Sequence, residues 1–457
     1  RALRRCARLA KGTGTEWVLA YGHSLHQLLE AEERPVDILD AIIDDRPVAV
    51  MEETSHSIWI NSVAMKLAGI QRTSEDPVGG MILRDEDGEP NGILHESAGD
   101  HVYDLALQPD PIAAEINYEG LLEVLEQLAA NGITSFSDAR VYWRRGWMDV
   151  WERAEREDAL TARAVLGLWT YPHLPDSVQI PKLISMYSFN PESLLRVSQI
   201  KMYNDGILHN TTSRMLEPYV KSLPGVPPLG ISYFPEKRMA HYVTELQTAG
   251  FDMHIHAIGD RAVRESLNAI EVAAKKQGGS DARHRLTHVE QVHPRDRKRF
   301  AALDVIADFQ LAGEFTKPEN EAWMEPVIGD RAHDSIPIHE IYASGATVTL
   351  SSDWTVSPMS PFLGLQNAIT RDGRGLPDLH AAIRAYTLNG AYTMRHEGRV
   401  GSLEVGKLAD LIVLDQNLFE IDPKEISDTE VLMTMLEGEV VFKSKRMKAN
   451  TSRWKLR

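Results

Sequence analysis

The sequence predicts an α/β fold: a (β/α)8 barrel with an insertion after strand one and a small β-sandwich towards the C-terminus. Three observations predict it. From about residue 120 onward, short apolar runs alternate with helical patterns. Residues from about 35 to 110 break that rhythm. The tail returns to short strands separated by glycine turns.

Seven runs read as strands: 132–139, 160–169, 198–205, 251–257, 285–290, 305–312 and 346–353. Several are nearly continuous in apolar residues, as parallel strands covered on both faces are. A barrel needs eight, so the first strand is expected to lie ahead of Arg1. Among the helices, "RAVRESLNAIEVAAKKQG" places Val263, Leu267, Ile270 and Ala274 at three- and four-residue steps, and Gly278 ends the pattern.

The expected division is residues 1–34 as the start of the barrel, 35–115 as an insertion over its mouth, 116–396 as the barrel and 397–457 as the sandwich segment and tail. Within the insertion, "PVGGMILRDEDGEPNGILHES" reads as a hairpin turning at "DEDGEP". In the tail, Gly401, Gly406 and Gly438 mark turns.

Hydrophobic residues make up 43% and charged residues 25%, ordinary for a globular protein in water. No apolar run approaches the ~18 residues a membrane span needs. A net charge of -17 argues against nucleic acid or an anionic membrane as partner. A small-molecule substrate is expected, and self-association into a homo-oligomer stays open. The single cysteine, Cys6, excludes a disulfide framework and a Cys-based zinc site and fits the cytoplasm. The opening "RALRRCARLAKG" reads as the middle of a basic helix, and an upstream signal peptide would lie before it.

Barrel chemistry sits at the C-terminal ends of the strands. Lys201 lies in "QIKMYND", His254 and His256 end "FDMHIH", His288 ends "RLTH" and Asp353 ends "TVTLSSD". Period two puts His254 and His256 on one strand face. Singly, each has a structural reading: a satisfied strand-end His, an Asp in a helix cap or Asx-turn, a Lys that snorkels. Jointly, buried imidazoles, a carboxylate and a lysine at one mouth are satisfied by a divalent metal.

These residues carry a resemblance. "HAIGDRAV" (256–263), His288 in "LTHVE" and "SSDW" (351–354) resemble the later strands of the amidohydrolase superfamily, a TIM-type barrel family. "GSLEVGKLADLIVLD" (401–415) is similar to its C-terminal β-sandwich segment. "SHSIWINSVAMKLAGI", "PNGILHESA" and "IKMYNDG" resemble the YtcJ-like branch, which includes N-substituted formamide deformylases. The resemblance implies one or two metal ions, usually zinc. It makes Lys201 a lysine that can become a carbamate bridging two metals, His256 and His288 ligands, and Asp353 the last-strand aspartate. His254 matches no ligand position and is expected behind the ligands. The HxH pair of strand one is not in its place here; it is expected upstream of Arg1, or half the metal site is lacking.

The implied activity is hydrolysis of a C–N bond in an amide, N-formyl group or cyclic amide by metal-activated water. Asp353 would shuttle the proton, with Lys201 and His288 at the reacting centre. His288 or Tyr203 would meet the oxyanion. His56 and Trp59 are read either as substrate contacts or as packing within the insertion, and Trp354 as a pocket wall or core residue. The branch commonly reads like "FADGSLGSRT" where this chain has "YNDGILHNTTS", so His209 and Asn210 are candidate substrate contacts. Alternatives are another reaction of the superfamily (deaminase, esterase, isomerase) or a catalytically incompetent barrel acting as a binding or regulatory protein.

Overall fold

The computed structural model describes Arg5, residues 17–278, 281–313 and 316–450. Apart from Arg5, the basic opening stretch with Cys6 lies outside the described residues.

Five strands form the first sheet: β1 (Val18–His23), β2 (Val48–Glu52), β3 (Ser57–Ile60), β4 (Gly80–Arg84) and β5 (Pro90–Glu96), in the order β1-β2-β3-β5-β4. Only β1 and β2 are parallel. β1 pairs with β2, so this sheet takes residues from both sides of position 35. β4 and β5 make the expected hairpin; Asp85 accepts the backbone N–H of Glu89 at 2.9 Å inside its turn. Asn61 explains part of the "WINS" wording. Its side-chain oxygen accepts from the backbone of Val48 and of Ala64, both at 3.0 Å, so one residue caps the following helix and ties it to β2.

Seven parallel strands form the second sheet: β6 (Ser135–Val141), β7 (Arg163–Trp169), β8 (Leu195–Tyr203), β9 (Asp252–Ala257), β10 (Arg285–His288), β11 (Ile306–Phe309) and β12 (Val348–Leu350). They pair in chain order, β6 to β12. Each falls inside one of the seven runs read from the sequence or overlaps it. Helices such as Trp147–Arg156, Glu236–Thr248 and Asp260–Gln277 connect them. The last of these ends at Gly278 with φ +68°, a left-handed cap that suits glycine.

The sheet is curled. Arg285 on β10 donates to Ser137 on β6 at 2.8 Å. Four strand spacings of about 4.8 Å separate those strands in a flat sheet, beyond the reach of one side chain. Only curvature brings them together, as in a (β/α)8 barrel. β6 and β12 are the sheet's edges, where an eighth strand would close the barrel; none is among the described residues.

The tail forms an antiparallel sheet of β13 (Leu411–Leu414), β14 (Val431–Leu436) and β15 (Glu439–Lys443). Among the described residues it is a single three-stranded layer. Arg163, the first residue of β7, pairs with Asp410 and Glu437. The tail sheet therefore sits at the N-terminal ends of the barrel strands, opposite the expected site.

Candidate active site

Strand register sets the site in two rows. Lys201 on β8 faces His254 on β9, which faces Arg285 on β10. One level up, Tyr203 faces His256, which faces Thr287. All six side chains are buried. His288 ends β10 beside this upper row, its ring centroid 4.3 Å from that of His256.

The loops above are locked by the chain's own polar groups. Asp205 accepts from the backbone N–H groups of Ile258, Gly259 and Arg214 at 3.0, 2.8 and 2.9 Å. Asn204 donates to the Ala262 carbonyl at 2.8 Å and to Ser266 at 3.0 Å. "YNDG" and "HAIGDRA" are thus two halves of one contact. Asp308 accepts from Thr287 at 2.8 Å, Thr349 at 2.7 Å and Ser351 at 2.9 Å. It joins the ends of the strands that carry His288 and Asp353. Both of those residues take left-handed backbone, φ +77° and +52°, which is inexpensive for Asp and costs more for His.

Hydrogen-bond direction settles one tautomer. His256 Nε2 lies 3.0 Å from the carbonyl oxygen of Gly206. A carbonyl only accepts, so Nε2 carries the proton and Nδ1 keeps its lone pair. That Nδ1 is buried with no hydrogen-bond partner. Burial, then the charge of neighbouring His288, holds the His256 pKa well below its ordinary value. Burial lowers His288 to about 4 as well. Two adjacent neutral imidazoles, one with an unused lone pair, suit a divalent cation.

Burial lowers Lys201 to about 7, against the opposing charge of Asp353. Asp353 itself is exposed, as is Trp354 next to it. Among the described residues no three His, Cys, Asp or Glu side chains converge on one point closely enough to hold an ion by themselves. The donor chemistry fits a metal; the number of donors gathered falls short of a closed set.

His56 arrives from the first sheet. Its ring stacks on Tyr203 with centroids 5.6 Å apart and lies 5.3 Å from His256. Glu96 accepts from His56 Nδ1 at 2.7 Å, from Thr212 at 2.6 Å and from Tyr233 at 2.7 Å. Burial alone would raise Glu96, but His56 and these donors outweigh it and hold the carboxyl below its usual range. Trp59 behaves differently. Its indole donates to the Pro35 carbonyl at 2.7 Å and fills the core of the first sheet. His56, just before β3, and Trp59 within it are three residues apart, which extended backbone puts on opposite faces.

His209 packs against His26 and Trp323, with ring centroids at 4.4 and 5.6 Å. Asn210 donates to Glu52 at 2.7 Å. These contacts of His209 and Asn210 are with the first sheet, its loops and the segment after β11, not with the ring cluster. His254 stands behind the upper row, between Lys201 and Arg285, at 3.4 and 2.7 Å.

Residue-level reading missed Glu96, Tyr233, Arg285 and Arg140. Arg140 lies at the end of β6 and donates to the Tyr203 hydroxyl at 2.7 Å. The strand-end rule that found Lys201 and His288 would have found it too, had it been applied to "SFSDAR".

The profile of the amidohydrolase family matches residues 1–442. The chain belongs to that family. The chain is 27% identical over 451 residues to the putative amidohydrolase YtcJ of Bacillus subtilis (strain 168), covering 93% of this chain and 80% of the relative. It is 24% identical over 460 residues to an N-substituted formamide deformylase of Arthrobacter pascens, covering 95% and 80%. It is also 25% identical over 447 residues to the protein LONG AFTER FAR-RED 3 of Arabidopsis thaliana, covering 93% and 74%. In fold it is similar to an uncharacterized metal-dependent hydrolase from Pyrococcus horikoshii OT3, with TM-score 0.68 and 21% identity over 92% of this chain and 80% of that one.

Proposed function

We propose that this amidohydrolase is a metal-dependent hydrolase of C–N bonds, acting on an amide, N-formyl or cyclic amide substrate. The observation that carries the proposal is the His256 imidazole, fixed with a free lone pair beside neutral His288. His256, His288, Asp353 and Lys201 would hold the cation, with zinc favoured by this donor set. When bound, a divalent cation makes water a nucleophile near neutral pH and polarises a carbonyl.

The chain's own groups do the rest. Asp353 takes a proton from the attacking water and returns it to the nitrogen as the C–N bond breaks. Arg140 can only donate, so the Tyr203 oxygen accepts from it and the Tyr203 O–H is left free to donate to the developing oxyanion. Burial pushes the Tyr203 hydroxyl above its ordinary pKa, so it keeps that proton. His56, oriented by Glu96, presents its other ring nitrogen to the same space. A Lys201 lowered to about 7 is in part a neutral amine at physiological pH, the form that carbamylation requires.

The test is the metal content of the full-length protein by plasma mass spectrometry, with hydrolysis screened over N-substituted formamides, acylated amino acids and cyclic amides. About one or two ions per chain, lost in His256→Ala together with hydrolysis, is the expected result. Full-length protein with neither metal nor hydrolysis overturns the proposal in favour of a binding protein.

A further inference from the structure

The geometry points to a carboxylate-recognition subsite centred on Arg140, so that the substrate is an amide carrying a free carboxylate a few bonds from the bond to be cut. This deepens the hydrolase reading and rests on it.

Arg140 lines a cavity with His56, Asp100, Tyr142, Trp169, Tyr203 and Tyr233. A guanidinium has five N–H donors. Among the described residues the Arg140 side chain makes one hydrogen bond, to the Tyr203 hydroxyl, and no carboxylate lies within 4.0 Å in an ion pair. Its other neighbours are the faces of Tyr142 and Tyr203, both 5.7 Å away. The adjacent arginines are placed otherwise. Arg144 and Arg145 share Asp104 at 2.8 and 3.1 Å, and Arg145 also lies 3.7 Å over the Tyr142 ring.

Asp353 and Asp100 act on Arg140 through their charge, but no acid nearby pairs with it within 4.0 Å among the described residues. Glu96 is committed to His56, Thr212 and Tyr233. Asp138 accepts from the Trp151 indole at 3.2 Å. Burial raises Asp100 to about 7, so near neutrality much of it is protonated. Arg140 is half-buried; a guanidinium keeps its proton there, and a charge held partly out of water without a partner is costly. One edge of the fork is taken by Tyr203. The other edge suits a planar two-oxygen anion.

The position is apt for a substrate group. The Tyr203 ring stacks on His256 with centroids 4.1 Å apart, and its hydroxyl meets Arg140. One tyrosine ring therefore separates the cationic subsite from the imidazole pair. A ligand spanning that gap carries its carboxylate near its carbonyl.

The test uses levulinate, in which a methylene replaces the amide nitrogen of an acylated glycine, and its neutral counterpart levulinamide. Both are titrated calorimetrically into the wild-type holoenzyme. Levulinate is expected to bind about 10- to 100-fold more tightly, the range for hydrogen bonds to a charged group. Arg140→Met should abolish that preference and Arg140→Lys should keep part of it. Equal binding, no binding of either, or a preference that survives in Arg140→Met overturns the inference. If Arg140→Met does not fold, modification of wild-type Arg140 by phenylglyoxal decides: levulinate must protect it and levulinamide must not. Metal and formamide hydrolysis without the preference would sink this inference alone. The preference without metal or hydrolysis would sink the hydrolase reading alone.

Discussion

The Arg285 guanidinium donates to Nδ1 of His254 at 2.7 Å, and Nε2 of the same ring lies 3.4 Å from the Lys201 amine. The first bond fixes the second. An arginine cannot accept, so Nδ1 must, and a neutral His254 then carries its proton on Nε2. Burial, reinforced by Arg285 and Lys201, holds His254 well below its ordinary pKa, so neutral it is. Nε2–H therefore points at Lys201 as a donor, which the neutral-amine form of Lys201 can accept. Arg285→Met should strip Nδ1 and the Gln199 side-chain oxygen, which Arg285 also serves at 3.0 Å, of a buried partner. Urea unfolding should show a loss of about 2 kcal/mol. An unchanged midpoint would show that the chain of donors does not hold the lower row.

Lys201 makes stability depend on pH. Its folded pKa is about 7 against an ordinary 10.5. Between those values the unfolded chain binds more protons than the folded one, so stability rises with pH across that window. The slope approaches about 1.4 kcal/mol per pH unit. In metal-stripped protein, Lys201→Met should flatten the rise from about pH 7 towards 10 and be the more stable form at neutrality. Parallel curves for variant and wild type would place the lysine's charge elsewhere.

On the acid side the sign is the same, in a lower window. His284 and His288 are lowered from 6.5 to about 4 by burial. Their contribution to stability is complete above about 6.5 and is lost as the pH falls towards 4. His284 accepts the Met253 backbone N–H at 3.0 Å and lies 2.7 Å from the Gln247 side chain, away from the ring cluster. His284→Gln should reduce the slope of stability between about pH 6.5 and 4 by up to one proton's worth, about 1.4 kcal/mol per unit. Denaturant midpoints at three pH values measure it.

Glu96 acts on the site through His56. In Glu96→Gln the amide keeps most of the volume but is a weaker acceptor for three donors. We expect kcat/KM to fall about 10- to 100-fold, in line with one lost charge-assisted bond of ~1.5–3 kcal/mol. His56→Ala should fall by a similar factor, and the double variant by little more than either. A double variant showing the product of both losses would separate the two residues.

Tyr203→Phe and Asp353→Asn distinguish donor from proton carrier. Removing one oxyanion donor costs about 10²–10³ in kcat. Asp353→Asn should cost more, since both proton transfers pass through it, and in metal-stripped protein should leave the melting temperature nearly unchanged because the side chain is exposed. A large loss of stability in Asp353→Asn would assign it to the scaffold instead.

The sequence alone determined the barrel strands and the face that His254 and His256 share. Apolar runs of strand length announce parallel pairing, and period two placed His254 and His256 on one face because the pleat leaves no other choice. The hairpin of β4 and β5, the helix ending at Gly278 and the ends of the strands bearing His288 and Asp353 followed from local signals of the same kind. Tertiary structure decided what has no local signal. Glu96 looks like an ordinary charge in its own segment, and Arg140 carries only the strand-end signal. They acquire roles only because the first sheet lays His56 against Tyr203 and because the curl of the second brings β6, β8 and β10 within one side chain's reach. The same packing turned Trp59 inward and set His209 against His26 and Trp323. Hydrogen-bond direction and burial are properties of neighbours distant in the chain. Tautomers, the lowered lysine and an arginine without a carboxylate therefore become visible only once the chain is folded.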